Sequence, residues 1–306
     1  MNSNKPLVSV IIPTYKRPDM IARTIQSIKQ QTYGSIEIII VDDNGLGTDM
    51  QLKTAEVVAP FVSDIIYLVH EANKGGSAAR NTGWKAAKGQ YITFVDDDDE
   101  LARGKIEKQV ACLEKLDQSW GCCYTGYRLI KEHGDSQISS ENRSGDCYVD
   151  ALMKTMFMGS GSNLFLRKFV VDEINGYDES FIRNQDVEFL VRVLEKYKIA
   201  FIDEVLLTIY QEGNRTKRTL EKIEEVNVHY LRKFENRINS LEEADKERVL
   251  AVITLERFRL YLYNKRLSEG VKLLKDNRVK LKYIARYIKY LLNRIVTHNS
   301  YGFSGE

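Results

Sequence analysis

Tyr91-Ile-Thr-Phe-Val-Asp-Asp-Asp-Asp99 carries a short, almost wholly apolar run straight into four adjacent carboxylates. Apolar, aromatic and β-branched residues in succession, without polar alternation, read as a strand covered on both faces, the kind found in parallel sheets. The same pattern occurs upstream. Leu7 to Ile12 is a Val- and Ile-rich run that Pro13 ends, followed by Thr14 and Tyr15; Ile36 to Val41 runs into Asp42, Asp43 and Asn44; Ile65 to Val69 supplies a further strand. Between the first two, Asp19 to Gln31 holds Ile21, Ile25 and Ile28 at spacings of four and three, which predicts a helix with one apolar stripe. Met50 to Val58 and Gly75 to Ala87 also read as helices, with Gly89 placed to cap the second. Strands alternating with helices predict an α/β fold with a doubly wound, mostly parallel sheet flanked by helices. Ligands in such sheets sit beyond the carboxyl ends of the strands, where three of these four strands end in polar residues.

Further along, Lys105 to Leu116 reads as a helix, Cys122 to Ile130 as a strand, and the chain near Tyr148 to Met156 as a helix. Ser162 to Leu166 and Ala200 to Ile209 read as strands around a helix from Asp186 to Tyr197. After about residue 219 the strand signals stop, and Glu221 to Ser240, Glu243 to Leu267 and Val279 to Val296 all read as helices. The expected organisation is therefore one α/β domain over residues 1–218 and an all-helical C-terminal extension, basic and amphipathic, over residues 219–306. No internal repeat is apparent.

Composition narrows the class. With 43% hydrophobic and 29% charged residues, the chain has the balance of a globular protein. Lys and Arg number 45 against 43 Asp and Glu, so the net charge of +2 gives no reason to expect a nucleic-acid partner. Cys112, Cys122, Cys123 and Cys147 show neither paired CxxC spacing nor the density of a disulfide scaffold, and read as inert thiols. Met1 to Pro6 lacks the basic-then-apolar pattern of a signal peptide, and no run of about 18 apolar residues suggests a transmembrane helix. A cytoplasmic location is the expectation.

Four adjacent carboxylates shielded from water repel one another, and a divalent cation relieves that repulsion. If extended geometry persists past the strand, Asp96 and Asp98 point the same way and converge on one ion. Hard oxygen ligands suit Mg²⁺ or Mn²⁺, either of which can bridge the phosphates of a nucleoside diphosphate. The competing reading is a solvated acidic turn, and for Asp42 and Asp43 a turn built on Asp and Asn side chains.

The motifs Val8-Ser-Val-Ile-Ile-Pro-Thr-Tyr15, Ile40-Val-Asp-Asp-Asn44, Asn73-Lys-Gly-Gly-Ser-Ala-Ala-Arg-Asn81, Phe94-Val-Asp-Asp-Asp-Asp99, Gly176-Tyr-Asp-Glu179 and Asn184-Gln-Asp186 together resemble the family 2 inverting glycosyltransferases of the GT-A fold. The likeness spans residues 7 to about 215. It implies transfer of a sugar from a nucleoside-diphosphate donor, UDP-linked for preference, to an acceptor hydroxyl on a glycan or lipid-linked glycan, in bacterial surface polysaccharide or glycoconjugate synthesis. It further implies that Tyr15 stacks on the base, that Asp43 hydrogen-bonds it, and that Arg80 lies near the diphosphate. Asp98 is then the direct metal ligand, and Asp96 contacts metal or ribose. Pro13, Thr14, Arg17, Asp42, Lys74 and Asp97 join the expected donor-binding set, and Asp178 and Glu179 border the donor sugar. Asp186, at the start of a helix, is the implied catalytic base; a helix N-terminus by itself lowers a carboxylate pKa, and capping the helix is the plain alternative role. One departure stands out. Many family members carry a His after the last core strand, whereas this chain reads Tyr210-Gln-Glu-Gly-Asn-Arg-Thr-Lys217; either Arg215 or Lys217 serves the diphosphate, or this loop closes only on donor binding.

Lys272 to Arg294 holds eight basic residues against Asp276 alone, interleaved with Leu281, Tyr283, Ile284, Tyr287, Ile288, Leu291 and Leu292. Such a helix over residues 272–296 can lie on an anionic membrane, at the inner face of the cell membrane, or pack on neighbouring helices or a second subunit. Rival functions fare worse. A nicotinamide-dependent oxidoreductase would need a GxGxxG turn where Pro13-Thr-Tyr-Lys-Arg-Pro18 stands, and a sugar-phosphate nucleotidyltransferase a glycine-rich basic loop there. A catalytically silent nucleotide-sugar-binding or assembly protein with the same fold is the remaining alternative, and retention of Asp98 and Asp186 argues against it.

Overall fold

The computed structural model describes residues 5–132, 134–139, 141–211, 219–297 and 303–305. The chain opens with β1 (Val8–Thr14), α1 (Pro18–Lys29), β2 (Ile36–Asp42), α2 (Asp49–Val58), β3 (Ile65–Val69), α3 (Gly76–Ala86) and β4 (Tyr91–Phe94). There follow β5 (Glu100–Leu101), α4 (Lys105–Glu114), β6 (Trp120–Lys131), β7 (Ser136–Ile138), α5 (Tyr148–Leu152), β8 (Phe165–Arg167), α6 (Lys168–Glu173), α7 (Gln185–Leu194) and β9 (Lys198–Gln211). The helices α8 (Leu220–Asn239), α9 (Glu243–Tyr263), α10 (Leu267–Asp276) and α11 (Leu281–Thr297) complete it. The described residues form two compact units, one within residues 5–146 and 158–211, the other within residues 147–157, 219–297 and 303–305.

The first unit is built on one mixed, mostly parallel sheet in the order β3-β2-β1-β4-β8-β6-β9-β5, with β7 paired to β6. β1 to β4 are mutually parallel and β8 is antiparallel to both its neighbours, β4 and β6. Alternate side chains of β1 and β2 serve opposite faces, as the twofold repeat of a strand requires. Val8, Val10, Ile12, Ile38 and Ile40 join Ile21, Ile25 and Ile28 of α1 and Ile106, Val110 and Leu113 of α4 in one core. On the other face α3 lies so close to β1 that a Cβ on Gly83 would sit 2.3 Å from Ile11 Cγ2. Beside it Phe94, Tyr177 and Phe189 form an aromatic cluster, with Tyr177 and Phe189 stacked at 4.2 Å. This is the doubly wound sheet that the alternating pattern predicts, in the GT-A-type arrangement that the resemblance implies.

Several local readings change. Pro13 does not end β1, which runs on to Thr14. Ile11 C=O accepts from Val95 N–H on the β4 side, and two residues later that neighbour has left the ladder, so a residue without N–H fits there. Gly89 does not cap α3. Ala87 does, and Gly89 N–H instead donates to Ser9 Oγ and Glu37 Oε1 where the chain enters β4.

In the second unit, Tyr230 of α8 donates to Leu152 C=O at 3.0 Å and Lys154 Nζ to Asn227 Oδ1 at 2.7 Å. These contacts tie α5, from the middle of the chain, to the C-terminal helices. Arg257 of α9 forms a largely buried ion pair with Glu224 of α8. The helix expected over Glu243 to Leu267 ends at Tyr263, because Lys265 takes the left-handed conformation at φ 59° and Arg266 N–H closes back on Tyr261 C=O; a separate helix, α10, starts at Leu267. No helix among the described residues is long and apolar enough to cross a membrane.

Candidate active site

From β1 the chain moves to β2 and β3 on one side and returns to β4 on the other, so the strand order reverses between β1 and β4. Connections leave in opposite directions at such a point, and a crevice opens beyond the strand ends. A pocket of about 390 Å³ lies there. Pro13, Thr14, Tyr15 and Arg17 line it from the end of β1 and just beyond, Asp43 from just after β2, Asn73 and Gly75 from the loop before α3, Gly76, Ala79 and Arg80 from the start of α3, and Asp96 and Asp97 from the turn after β4.

The acidic run converges, though not by strand alternation. The chain turns after β4, Asp99 N–H donating to Asp96 C=O at 3.2 Å, and oxygens of Asp96, Asp98 and Asp99 come within 4.8 Å of one another. Asp97 points away, accepting from Thr14 Oγ1 at 2.7 Å and Arg17 Nη1 at 3.2 Å across the crevice. Asp99 is buried, receives Ser160 and Ser162 hydroxyls at 2.6 and 2.5 Å, and is pushed up to about 8 by lost hydration and the charge of Asp96. Burial raises Asp98 too, with Arg17 opposing, and takes Asp97 to about 7. Three carboxylates this close, with the charged forms of Asp98 and Asp99 disfavoured, make a hard-oxygen donor set that fits a divalent cation.

Two guanidiniums already answer that charge. Arg17 Nη1 stands 2.5 Å from Asp98 Oδ2, and Arg80 Nη2 stands 2.5 Å from Asp96 Oδ1. Arg80 also donates to Gln185 Oε1 at 3.0 Å and lies over the Tyr177 ring, so it joins the acidic turn to the first residue of α7. Asp186 follows in the first turn of that helix, entered through a left-handed Asn184, with its Cβ near the Gly161 turn. The residue as a whole is exposed, yet lost hydration and the charge of Asp96 raise its pKa, with Arg80 pulling it down. Helix N–H groups favour the anion as expected, but they are outweighed.

The other sequence candidates divide. Tyr15 is exposed on the pocket rim with Lys16 Nζ 4.9 Å from its ring. Asp43 lines the wall, but its carboxylate is spent on its own loop. Lys74 N–H reaches Oδ1 at 2.8 Å, Asn73 Nδ2 and Gly75 N–H reach Oδ2 at 2.8 Å, and His70 Nδ1 lies 2.7 Å from Oδ1. Those four partners fill a carboxylate's usual sites, so Asp43 shapes the Asn73 to Gly75 loop. Asp42 is not brought to the pocket: it is fully buried, accepting from Tyr67, Asn44 N–H and Asn44 Nδ2. Asp178 and Glu179 lie off the pocket wall in the turn after Gly176, accepting from Ser180 N–H and Asn81 Nδ2. The Lys74 side chain is exposed away from the lining. Arg215 and Lys217 lie outside the described residues.

Sequence reasoning missed Asp99 as a third cluster member and Ser162, whose hydroxyl accepts from Asp96 N–H at 2.8 Å and donates to Asp99. It also missed Gln185 as the anchor of Arg80. Asp99 and Gln185 sit inside quoted motifs; Ser162 carries no local signal.

Comparison with known proteins agrees with this geometry. The model of glycosyl transferase family 2 matches residues 9–174. An uncharacterized glycosyltransferase of Rickettsia typhi is 30% identical over 229 residues, covering 73% of this chain and 70% of that protein. The putative teichuronic acid biosynthesis glycosyltransferase TuaG of Bacillus subtilis is 37% identical over 135 residues, covering 44% and 52%. Among solved structures, S. aureus TarS residues 1–349 in complex with UDP-GlcNAc superposes with a TM-score of 0.67 at 17% identity, over 93% of this chain and 86% of that one. The mannosyltransferase PcManGT of Pyrobaculum calidifontis, in complex with GDP-Man and Mn²⁺, gives 0.58 at 17% identity, over 96% and 81%.

Proposed function

The chain belongs to glycosyl transferase family 2, and from that premise we propose that it moves a sugar from a UDP-sugar to an acceptor hydroxyl, inverting the anomeric carbon. The acceptor is a glycan or lipid-linked glycan in cytoplasmic synthesis of a surface polysaccharide. The observation that carries this reading is the Asp96, Asp98 and Asp99 cluster at the strand-order reversal, joined to Asp186 through Arg80 and Gln185. The names of TuaG and of the UDP-GlcNAc complex of TarS support the choice of donor and product class.

Each side chain has a task that its position suits. Tyr15, exposed on the rim, offers a ring face to the base. Arg80 and Arg17 present planar guanidiniums to phosphate oxygens. Asp98, Asp96 and Asp99 would hold Mn²⁺ or Mg²⁺, which supplies positive charge against the diphosphate leaving group. Asp186, its pKa raised from that of a free Asp by lost hydration and the charge of Asp96, is the stronger base for it and takes the proton of the acceptor hydroxyl. The hydroxyl oxygen then forms the new bond to the anomeric carbon as the diphosphate departs from the opposite face with its electron pair. One displacement gives one inversion.

The Asp186→Asn substitution tests this directly. Donor affinity measured by titration calorimetry with Mn²⁺ should change little, while sugar transfer falls roughly 10²–10⁴-fold, the usual contribution of a positioned base. Equal turnover, including donor hydrolysis, in the two proteins removes the base assignment; absent turnover in both favours the silent binding protein.

A further inference from the structure

α11 is apolar on two sides, and among the described residues only one is packed against the rest of the chain. Tyr283 and Tyr287 are buried, with Tyr287 packed against Phe303 at 5.0 Å and Tyr290 at 5.8 Å. Leu281, Ala285, Ile288 and Leu292 follow one another at spacings of four, three and four. At 3.6 residues per turn they share an arc of roughly 60° nearly opposite the two tyrosines. They are exposed: Leu281 by 81%, Ile288 by 53% and Leu292 by 59%. A surface helix needs one apolar stripe to hold it in place, and the anchored face already supplies it.

The charge around the outward stripe says what covers it. α11 contains no Asp or Glu, and from Lys272 to Thr297 the only acid is Asp276 against eight basic residues. Lys282 and Lys289 border the stripe; Lys282 reaches Glu247 at 3.0 Å, while Lys289 has no ion-pair partner among the described residues. Two copies meeting seam to seam would bring these lysines together with no acid on either helix to answer them. An anionic lipid surface answers both demands at once, taking the aliphatic side chains below its headgroups and the lysines among its phosphates. We propose that the outward face of α11 is a docking surface for an anionic membrane, with the helix lying in the plane of the interface. The inference stands on the helical unit alone and does not depend on the donor chemistry.

Flotation with vesicles decides it. The full-length chain should float with vesicles of equal parts phosphatidylglycerol and phosphatidylcholine at low salt, and remain at the bottom with phosphatidylcholine alone or in high salt. The double substitution Ile288→Ser with Leu292→Ser should reduce the floated fraction roughly tenfold, and Lys289→Glu by a smaller factor. Thermal melting and nucleotide binding should be unchanged, which separates lost docking from lost folding or a failed donor site. Wild-type protein that stays at the bottom overturns the proposal, as does a double variant that floats equally well. So does a stable dimer in light scattering that the double variant dissociates, since the stripe's occupant would then be a second copy.

Discussion

At the scale of single residues, the two arginines of the pocket differ in how they are held. Arg80 is largely buried and fixed by Asp96, Gln185 and the face of Tyr177. Arg17, with nearly half its side chain exposed, is held by Asp97 and Asp98. Asp98 is also a cluster carboxylate, so Arg17 and a cation compete for it. A diphosphate would offer the displaced guanidinium a new partner, which makes cation and nucleotide binding mutually favourable. Arg17→Ala should therefore bind Mn²⁺ alone more tightly, by about three- to tenfold, and bind UDP more weakly. The enhancement of one by the other should shrink by about 1 kcal/mol. Electron paramagnetic resonance titration of Mn²⁺, with and without UDP, reads all three quantities. Unchanged coupling would show that Arg17 only props up the loop.

At the scale of elements, legibility followed burial. β1 to β4 were plain in the sequence because a strand covered on both faces has one apolar reading, and α1 because Ile21, Ile25 and Ile28 have no other use. β5 and β7 are two and three residues long and leave no periodic trace. α9 was read past its end because the break falls on Lys265, where a left-handed residue is usually Gly, and α10 was not read as a helix of its own. The acidic run announced its chemistry but not its shape. Asp96, Asp98 and Asp99 converge through a turn pinned by Ser162, 63 residues beyond Asp99, and no local pattern encodes a partner that distant. Gly89 teaches the same lesson: its role is a close approach between chain segments rather than a helix cap. A Cβ there would lie 2.7 Å from Ser9 N and 2.8 Å from Leu7 C=O, both backbone atoms with little room to yield. Gly89→Ala should cost about 1–3 kcal/mol by forcing apart the start of β1 and the entry to β4. Gly34→Ala, whose Cβ would meet nothing within 4 Å, should be close to neutral. Urea midpoints of the two variants make the comparison, and equal midpoints would refute the crowding argument.

At the scale of the whole molecule, stability against pH should carry the mark of a buried amine in the core. Lys105, at the start of α4, is fully buried, and its Nζ donates to Thr125 Oγ1 at 3.1 Å and Asn163 Oδ1 at 2.9 Å. Two acceptors suit the two donors of a neutral amine, and burial takes the group from its ordinary 10.5 down to about 7, with Cys123 and Asp99 opposing. Between about pH 7 and 10.5 the unfolded chain therefore holds a proton that the folded chain lacks, and by linkage stability rises with pH across that window. The slope approaches ~1.4 kcal/mol per pH unit for one proton; below about 7 both states are charged and it vanishes. Asp99, raised to about 8, tilts the other way, losing its contribution as pH rises through that value. The two are separated by subtraction, because Asp99 is common to the wild type and to a Lys105→Met variant, which keeps the volume and removes the titration. Wild-type stability minus variant stability, from urea unfolding at successive pH values, should be flat below pH 7 and climb above it. A difference that stays flat to pH 9 would mean that Lys105 is charged in the folded core, held by Asp99 against the cost of burial.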